Sequence, residues 1–417
     1  MLSKTQIKKL GKSIRDCQNT SNEIPEELLI SVQEHRTSFQ KDIAEVFNIL
    51  SEASKRVRKD RVVTFRIKRI ESILSKIRRQ PTMQLDTMGD IAGCRCIVQT
   101  DTQVLKIVEL LERKFTIKGS NNYVLKPKKD GYNAYHLYVE SPIDSSKKIE
   151  IQIRSQDCHN WSTLVEIIDV LFDRKIKEGE DETDLKEFLK LMSNKNALDI
   201  SQKSRVIQIE ESYNIYINLI ALFSKNYLII RNSWLKLEAK ADHTYFVISV
   251  DKQKTPKISS YNNYVEAEAM YFQIFNENKE SNVVLTHLDE VDFRKLCIAY
   301  SNYILIKHGF LKDWQEIIIS QIEMEYKEKR RKNANLLVAK FRSTLEEEEA
   351  LLRTEIGSIK EIMDNRNEEH YLSEDSKLDE WLQELEDRFN DGRQMRNQLD
   401  NLIEKNGRSA ISQFLKS

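Results

Sequence analysis

Net charge is absent from this chain: 66 lysines and arginines are balanced by 66 aspartates and glutamates over 417 residues. A global polycation wrapped by nucleic acid is thereby excluded, and any anion-binding site must be a local patch. Long apolar runs are absent too. YINLIALF (216–223) is far shorter than the roughly 20 residues of a membrane-spanning helix. The first residues, MLSKTQIKKLGK, contain no secretory apolar core. Of five cysteines only Cys94 and Cys96 are close together, which gives neither a zinc spacing nor a disulfide framework. Both fall on one face of an expected strand and read as buried thiols. A cytoplasmic protein with no membrane partner is the expectation. No Walker-type glycine loop is present, which disfavours a P-loop ATPase. No long-period repeat is visible.

What is there points to several folding units. A chain of this length exceeds one ordinary core, so two or three domains are expected. Residues 1–60 read as a helical segment, with Ile43, Val46, Phe47 and Leu50 at helical spacing. Residues 61–200 hold most strand signals and most candidate chemistry. They end near a charged, solvated stretch, DRKIKEGEDETDLKE (173–187). Residues 201–320 read as a helical linker, patterned to about 237, and a small α/β accessory segment built on TYFVISV (244–250), VEAEAMYFQIFNE (265–277) and NVVLTHL (282–288). No proline follows Pro256, and residues 321–417 read as a helical or coiled-coil tail. Its apolar stripes are Leu337, Phe341, Leu345, Leu352, Ile356, Ile359 and Met363, then Leu378, Leu382, Leu385 and Phe389. The fold class expected is α+β: a mixed sheet flanked by helices, then the accessory segment and the tail.

Four stretches carry candidate chemistry. In RIKRIESILSKIRR (66–79), Ile67, Ile70, Leu74 and Ile77 mark the buried stripe of a helix. Lys68, Ser72 and Lys76 recur every four residues along another ridge, with Arg66, Arg69 and Arg79 beside them. Fixed cations around a hydroxyl suit a polyphosphate, although such a ridge is more often a solvated face. In MGDIAGCRCIVQ (88–99), Asp90 stands at the mouth of a strand whose Arg95 faces away from Cys94 and Cys96. In KKIEIQIRSQDCHNW (147–161), Ile149, Ile151 and Ile153 fill one face while Glu150, Gln152 and Arg154 share the other. Asp90 and Glu150 sit on strands that can be neighbours, giving two carboxylates for one Mg²⁺, an ion that takes few protein ligands besides phosphate oxygens and water. The turn in LKPKKDGYNAYHLYVE (125–140) presents Lys128, Tyr132 and His136 to one end of a sheet, a combination suited to an anionic, ring-bearing ligand.

The order RIKRIESILSKI, DIAGCRCIV, KPKKDGYNAYH, IEIQIRSQDCHNW resembles the synthetase domain of the RelA/SpoT alarmone synthetases over roughly residues 60–170. The resemblance implies a mixed, nucleotidyltransferase-like sheet for the 61–200 segment. It also implies transfer of the β,γ-pyrophosphate of ATP to the 3′-hydroxyl of GDP or GTP, with Mg²⁺, releasing AMP. Position by position, it implies that Asp90 and Glu150 bind the metal, with Glu150 also assisting deprotonation. It places Arg66, Lys68, Ser72, Lys76 and Arg95 on ATP. Lys128, Tyr132, His136, Gln152 and Arg154 line the acceptor pocket, with Tyr132 stacked on the base. The family's hydrolase His-Asp pair is absent, which implies a short, hydrolase-lacking type. Asp130 stands where the family commonly has Asn, and Asn133 where Arg, Lys or Gln is common, so the acceptor stays open. The alternative is a toxin or phage-defence effector that pyrophosphorylates the tRNA 3′ CCA end or adenosine nucleotides. In that reading the C-terminal helices, with the acidic run LEEEEALL (345–352), act as a sensor, a neutralising element or a self-association element.

Overall fold

The computed structural model describes residues 2–20, 24–68, 70–172, 174, 176, 183–224, 242–250, 256–277, 282–288, 296, 308–364 and 375–414. They fall into two compact units, residues 1–162 with 240–304, and residues 163–239 with 305–417. Most of the charged stretch at 173–182, the helical pattern beyond 224 and residues 297–307 of the accessory segment lie outside the described residues.

The first unit opens with three helices, α1 (Lys4–Thr20), α2 (Glu26–Thr37) and α3 (Gln40–Val57). The 3.6-residue period of Ile43, Val46, Phe47 and Leu50 gives α3 one apolar face, and all four are buried. An eight-stranded sheet follows, built from β1 (Val62–Ile67), β2 (Ala92–Val98), β3 (Ile117–Asn122), β4 (Tyr135–Glu140), β5 (Lys148–Ser155), β6 (Tyr245–Val250), β7 (Pro256–Tyr261) and β8 (Asn282–His287). The order is β3-β4-β5-β2-β1-β8-β6-β7, with β2 and β5 parallel and every other pairing antiparallel.

Alternation sorts each central strand into two faces. Phe65, Cys94, Cys96, Leu137, Ile149, Ile151 and Ile153 are buried in the apolar core that includes α3 and α5 (Asp101–Glu112). Burial pushes the Cys96 thiol up to about 12 and raises Cys94 further, so both behave as apolar side chains, as the spacing suggested. Thr100 and Gln103 close a capping box at the start of α5, fixing where β2 becomes helix.

Two expectations are corrected. Ile67 belongs to β1, and the helix α4 (Ile70–Arg79) starts after Lys68, so the buried stripe is Ile70, Ile73 and Ile77. Lys68 occupies the strand–helix junction, not a helical ridge. The accessory segment is also no separate body: β8 pairs with β1 at Val63–His287, Thr64–Thr286 and Phe65–Leu285. Its helix α9 (Tyr264–Glu277) packs on β6 and β8. The boundaries expected at residues 60, 200 and 320 therefore do not match the two units, and a cut near residue 235 would strip three strands from the sheet.

Strand β5 runs directly into α6 (Gln156–Leu171), and the second unit contains α7 (Asp184–Met192), α8 (Ile200–Tyr213), α10 (Gly309–Lys327), α11 (Arg331–Asp364) and α12 (Asp375–Phe414). Trp314 of α10 packs on Tyr216 and Phe341 with centroid distances of 4.6 and 5.3 Å. Helices α11 and α12 run antiparallel, as the pairs Arg342–Asp400 and Lys360–Glu386 require. Their seam holds Val338, Phe341, Leu345, Leu352 and Ile359 opposite Leu378, Trp381, Leu385 and Leu399. A polar layer interrupts it. Glu348 accepts from Tyr216 at 2.7 Å and faces Arg388, and Glu349 pairs with Arg396 at 2.7 Å. With Glu346, 3.9 Å from Arg396, three acids of the 345–352 run are matched inside their own unit. Among the described residues no helix is long and apolar enough to cross a membrane.

Gly11 of α1 has room for no side chain: a Cβ there would stand 2.8 Å from Leu85 Cβ and 3.2 Å from the Leu85 nitrogen. Gly11→Ala should destabilise the first unit. Overpacking costs about 1–3 kcal/mol, and the better helix propensity of alanine returns only about 1 kcal/mol. A lower urea midpoint for the variant is the measurement; an unchanged or higher midpoint contradicts it.

Candidate active site

The polar face of the central sheet collects the candidate residues because register aligns them. Gly93 pairs with Glu150, Arg95 with Gln152 and Ile97 with Arg154 across β2 and β5. Tyr138 lies opposite Glu150 and His136 opposite Gln152 across β4 and β5. Arg66 pairs with Gly93 across β1 and β2 and is exposed. One sheet face thus carries Arg66, Arg95, His136, Tyr138, Glu150, Gln152 and Arg154. The start of β5 is anchored by Lys147, whose ammonium donates to Asp42 at 2.7 Å and to the Ser38 carbonyl at 2.5 Å.

At one end of this face two cations share one oxygen. Lys68 Nζ and Lys76 Nζ lie 3.0 and 2.9 Å from Asp90 Oδ2. Burial alone would raise the Asp90 carboxyl, but Lys68 and Lys76 hold it below its usual range. Burial likewise lowers the Lys68 ammonium, and Asp90 opposes that. The second oxygen, Asp90 Oδ1, is buried with no hydrogen-bond partner. Ser72 lies half-buried on α4, one turn before Lys76.

Glu150 is the second carboxylate, and it accepts three hydrogen bonds. His136 Nδ1 donates to Oε1 at 2.9 Å, the Tyr138 hydroxyl donates to Oε1 at 3.1 Å, and Gln152 Nε2 donates to Oε2 at 2.7 Å. Burial favours the protonated form, yet His136, Gln152 and Tyr138 together bring Glu150 down to about 2. Burial and the nearby Glu150 carboxylate raise the Tyr138 phenol, so it stays a donor. From Glu150 a chain of contacts runs outward. His136 Nε2 is 2.6 Å from the Tyr132 hydroxyl, whose oxygen accepts from Arg154 Nη2 at 3.0 Å. With Nδ1–H given to Glu150, Nε2 accepts the Tyr132 proton, and each of these three contacts then joins one donor to one acceptor.

The turn before β4 explains its residues. Gly131 has φ 96°, a conformation that favours glycine, and Asp130 Oδ1 accepts the Tyr132 N–H at 3.0 Å. Asp130 is thereby committed to the turn. Lys128 Nζ lies 4.9 Å from the Tyr132 ring centroid and 4.8 Å from that of Tyr123. Tyr123, Tyr132, His136 and Trp161 form an edge-to-face cluster with centroids 5.5–6.3 Å apart.

The expected residues therefore gather into two groups on one sheet face: Lys68, Lys76 and Asp90, and Lys128, Tyr132, His136, Glu150, Gln152 and Arg154. Arg95, expected with ATP, lies beside Gln152 in register and close enough for its charge to lower the Tyr132 phenol, which burial raises overall. Two residues escaped sequence reasoning. Tyr138 joins the groups: its hydroxyl meets Glu150, Asp90 is near enough to bias its ionisation, and its ring lies 3.2 Å from where a Gly89 Cβ would be. Period two puts Tyr138 on this face, but only register puts it on Glu150. Tyr123 had no local signal. Among the described residues no group of three or more His, Cys, Asp or Glu could hold a metal ion by itself.

Comparison with known proteins agrees with the arrangement of motifs. Residues 65–171 match the model described as a region found in RelA / SpoT proteins. The chain is 35% identical to GTP pyrophosphokinase YjbM of Bacillus subtilis (strain 168) over 125 residues, 28% of this chain and 59% of that protein. It is 30% identical to GTP pyrophosphokinase YwaC of the same organism over 111 residues, 24% of this chain and 53% of that protein. The matched stretch thus spans little more than half the length of these curated relatives. Among solved structures, a GTP pyrophosphokinase family protein from Streptococcus pneumoniae aligns at 26% identity and TM-score 0.35, over 44% of this chain and 96% of that one. The B. subtilis small alarmone synthetase 1 bound to its product pppGpp aligns at 24% identity and TM-score 0.32, over 43% and 96%.

Because Glu150 is depressed from 4.5 to about 2, its stabilisation is fully present above about pH 4.5 and is lost as pH falls through about 2. Glu150→Gln should flatten the loss of stability between those pH values, by on the order of 3 kcal/mol in all. Urea midpoints measured at several pH values check this; parallel curves for the two proteins would contradict it.

Proposed function

We propose that this chain, whose residues 65–171 belong to the RelA/SpoT family, transfers the β,γ-pyrophosphate of ATP to the 3′-hydroxyl of a guanosine nucleotide and releases AMP. The observation that carries this reading is the Lys68–Asp90–Lys76 cluster with its unpartnered Asp90 Oδ1. A buried, ionised oxygen without a donor is the kind of group a divalent cation completes. Among the described residues no group of three or more His, Cys, Asp or Glu gathers to hold a metal, so an ion there would take its other ligands from phosphate oxygens and water. Mg²⁺, when bound at Asp90, would neutralise charge building on the migrating pyrophosphate.

The side chains divide the remaining work. Lys68 and Lys76 turn from Asp90 to phosphate oxygens, with Arg66 and Ser72 beside them and Arg95 between the two groups. Tyr132, edge-on to His136 and locked by its hydroxyl, offers a ring face to the acceptor base. Lys128 and Arg154 supply positive charge around that ring. Glu150 meets the 3′-hydroxyl as a fixed anion. A carboxylate held near 2 is a weak base at neutral pH. Its Oε2 accepts from Gln152 alone and has a lone pair left for the substrate hydroxyl, and loss of any of the three present donors would raise Glu150's basicity.

Labelled ATP offered in parallel with GDP, GTP, ADP, a second ATP and tRNA, with Mg²⁺, tests the proposal. AMP together with a guanosine 3′-pyrophosphate is expected. Asp90→Asn and Glu150→Gln should each lower the rate by a factor on the order of 100 or more. Transfer to tRNA or an adenosine nucleotide alone would move the acceptor and keep the chemistry. Transfer to none of them by the intact chain would overturn the proposal.

A further inference from the structure

The Lys68 junction is held by groups far from residues 65–171. Strand β1 has two neighbours, β2 along its whole length and β8 only from Val63 to Phe65. Along an edge every second N–H points the same way, so the Ile67 N–H faces the β8 side two residues past the last pair. Its acceptor is the Tyr271 hydroxyl of α9, at 3.1 Å, and Tyr271 is fully buried. One residue on, the Lys68 carbonyl accepts from Arg36 Nε of α2 at 2.7 Å, and Arg36 is 2% exposed. The Lys68 N–H donates to the Ile91 carbonyl at 2.7 Å, next to Asp90. Three backbone groups of two consecutive residues, Ile67 N–H, Lys68 N–H and Lys68 C=O, are therefore held by three different segments just where the strand ends.

We infer that Tyr271 and Arg36 are positioning residues for the donor-phosphate site: they fix the Ile67–Lys68 backbone so that the Lys68 ammonium reaches the oxygen that Lys76 also holds. The inference rests on the proposed pyrophosphate transfer, but its geometry does not. A lysine side chain has four rotatable bonds, and without a fixed origin its ammonium is spread over many positions. Neither Tyr271 nor Arg36 touches a reacting group. Both act through the main chain of Lys68. The accessory segment, on this account, completes the phosphate site as well as the sheet.

Tyr271→Phe removes the hydroxyl and keeps the ring, and Arg36→Met removes the donor and keeps the stem. Binding of α,β-methylene ATP to the intact chain, measured by calorimetry with Mg²⁺, separates the possible results. Each variant should bind about three- to tenfold more weakly, the range allowed by one lost hydrogen bond. In turnover KM for ATP should rise while KM for the acceptor holds. Val265→Ala, exposed on the same helix, should bind as the parent does. Equal binding by parent and both variants overturns the inference, as does a uniform loss of both substrates with a lowered melting temperature. If the parent itself binds no α,β-methylene ATP, the pyrophosphate-transfer reading fails instead, independently of Tyr271.

Discussion

Two ammonium groups on one buried carboxylate oxygen set the terms for this molecule. Lys68 and Lys76 both pair with Asp90 where β1 gives way to α4, and bringing three charges into a half-buried place is tolerable only because the anion stands between the two cations. The arrangement leaves the cluster with a net positive charge and one idle oxygen, the two features on which the proposed phosphate and metal binding rests. Around it the fold is arranged to hold backbone: β2 aligns Gly93 with Glu150, the Gly131 turn delivers Tyr132, and α2 and α9 grip the last residues of β1.

The second carboxylate is solved differently. Asp90 holds two cations on one oxygen, whereas Glu150 accepts from neutral and ring donors on its own sheet face. Two acids on one face thus have contrasting partners, a common way of giving like groups unlike work. Tyr138 is the physical link between them, since its hydroxyl is on Glu150 and its ring lies beside Gly89, next to Asp90.

Local pattern made much of this legible. The alternation in IEIQIRS and YHLYVE placed the isoleucines inside and Glu150, Gln152, Arg154 and His136 on a shared polar face, and the stripe of α3 came out as spaced. Ile67 was misplaced because Ile67, Ile70, Leu74 and Ile77 fit a helical period as well as Val63, Phe65 and Ile67 fit an alternating one, and only pairing with β2 decides. The union of β8 with β1 could not be read locally at all. Nothing in NVVLTHL names a partner more than 200 residues earlier in the chain. Tyr271 carries no distinguishing mark either, because a buried tyrosine on a helical stripe looks like any core aromatic until its hydroxyl finds the Ile67 amide.

That distant union bears on how the protein is made. During synthesis β1 emerges early, and its outer edge stays bare while the 163–239 stretch of the other unit is still being assembled. A nascent chain in that condition exposes unpaired strand backbone for many seconds at ordinary translation rates of about 5–20 residues per second, an invitation to wrong pairing between neighbouring ribosome products. Because the last grip on the Ile67–Lys68 backbone comes from residue 271, a shortened product ending before it would be sticky and would also lack the hydrogen bond that holds the end of β1.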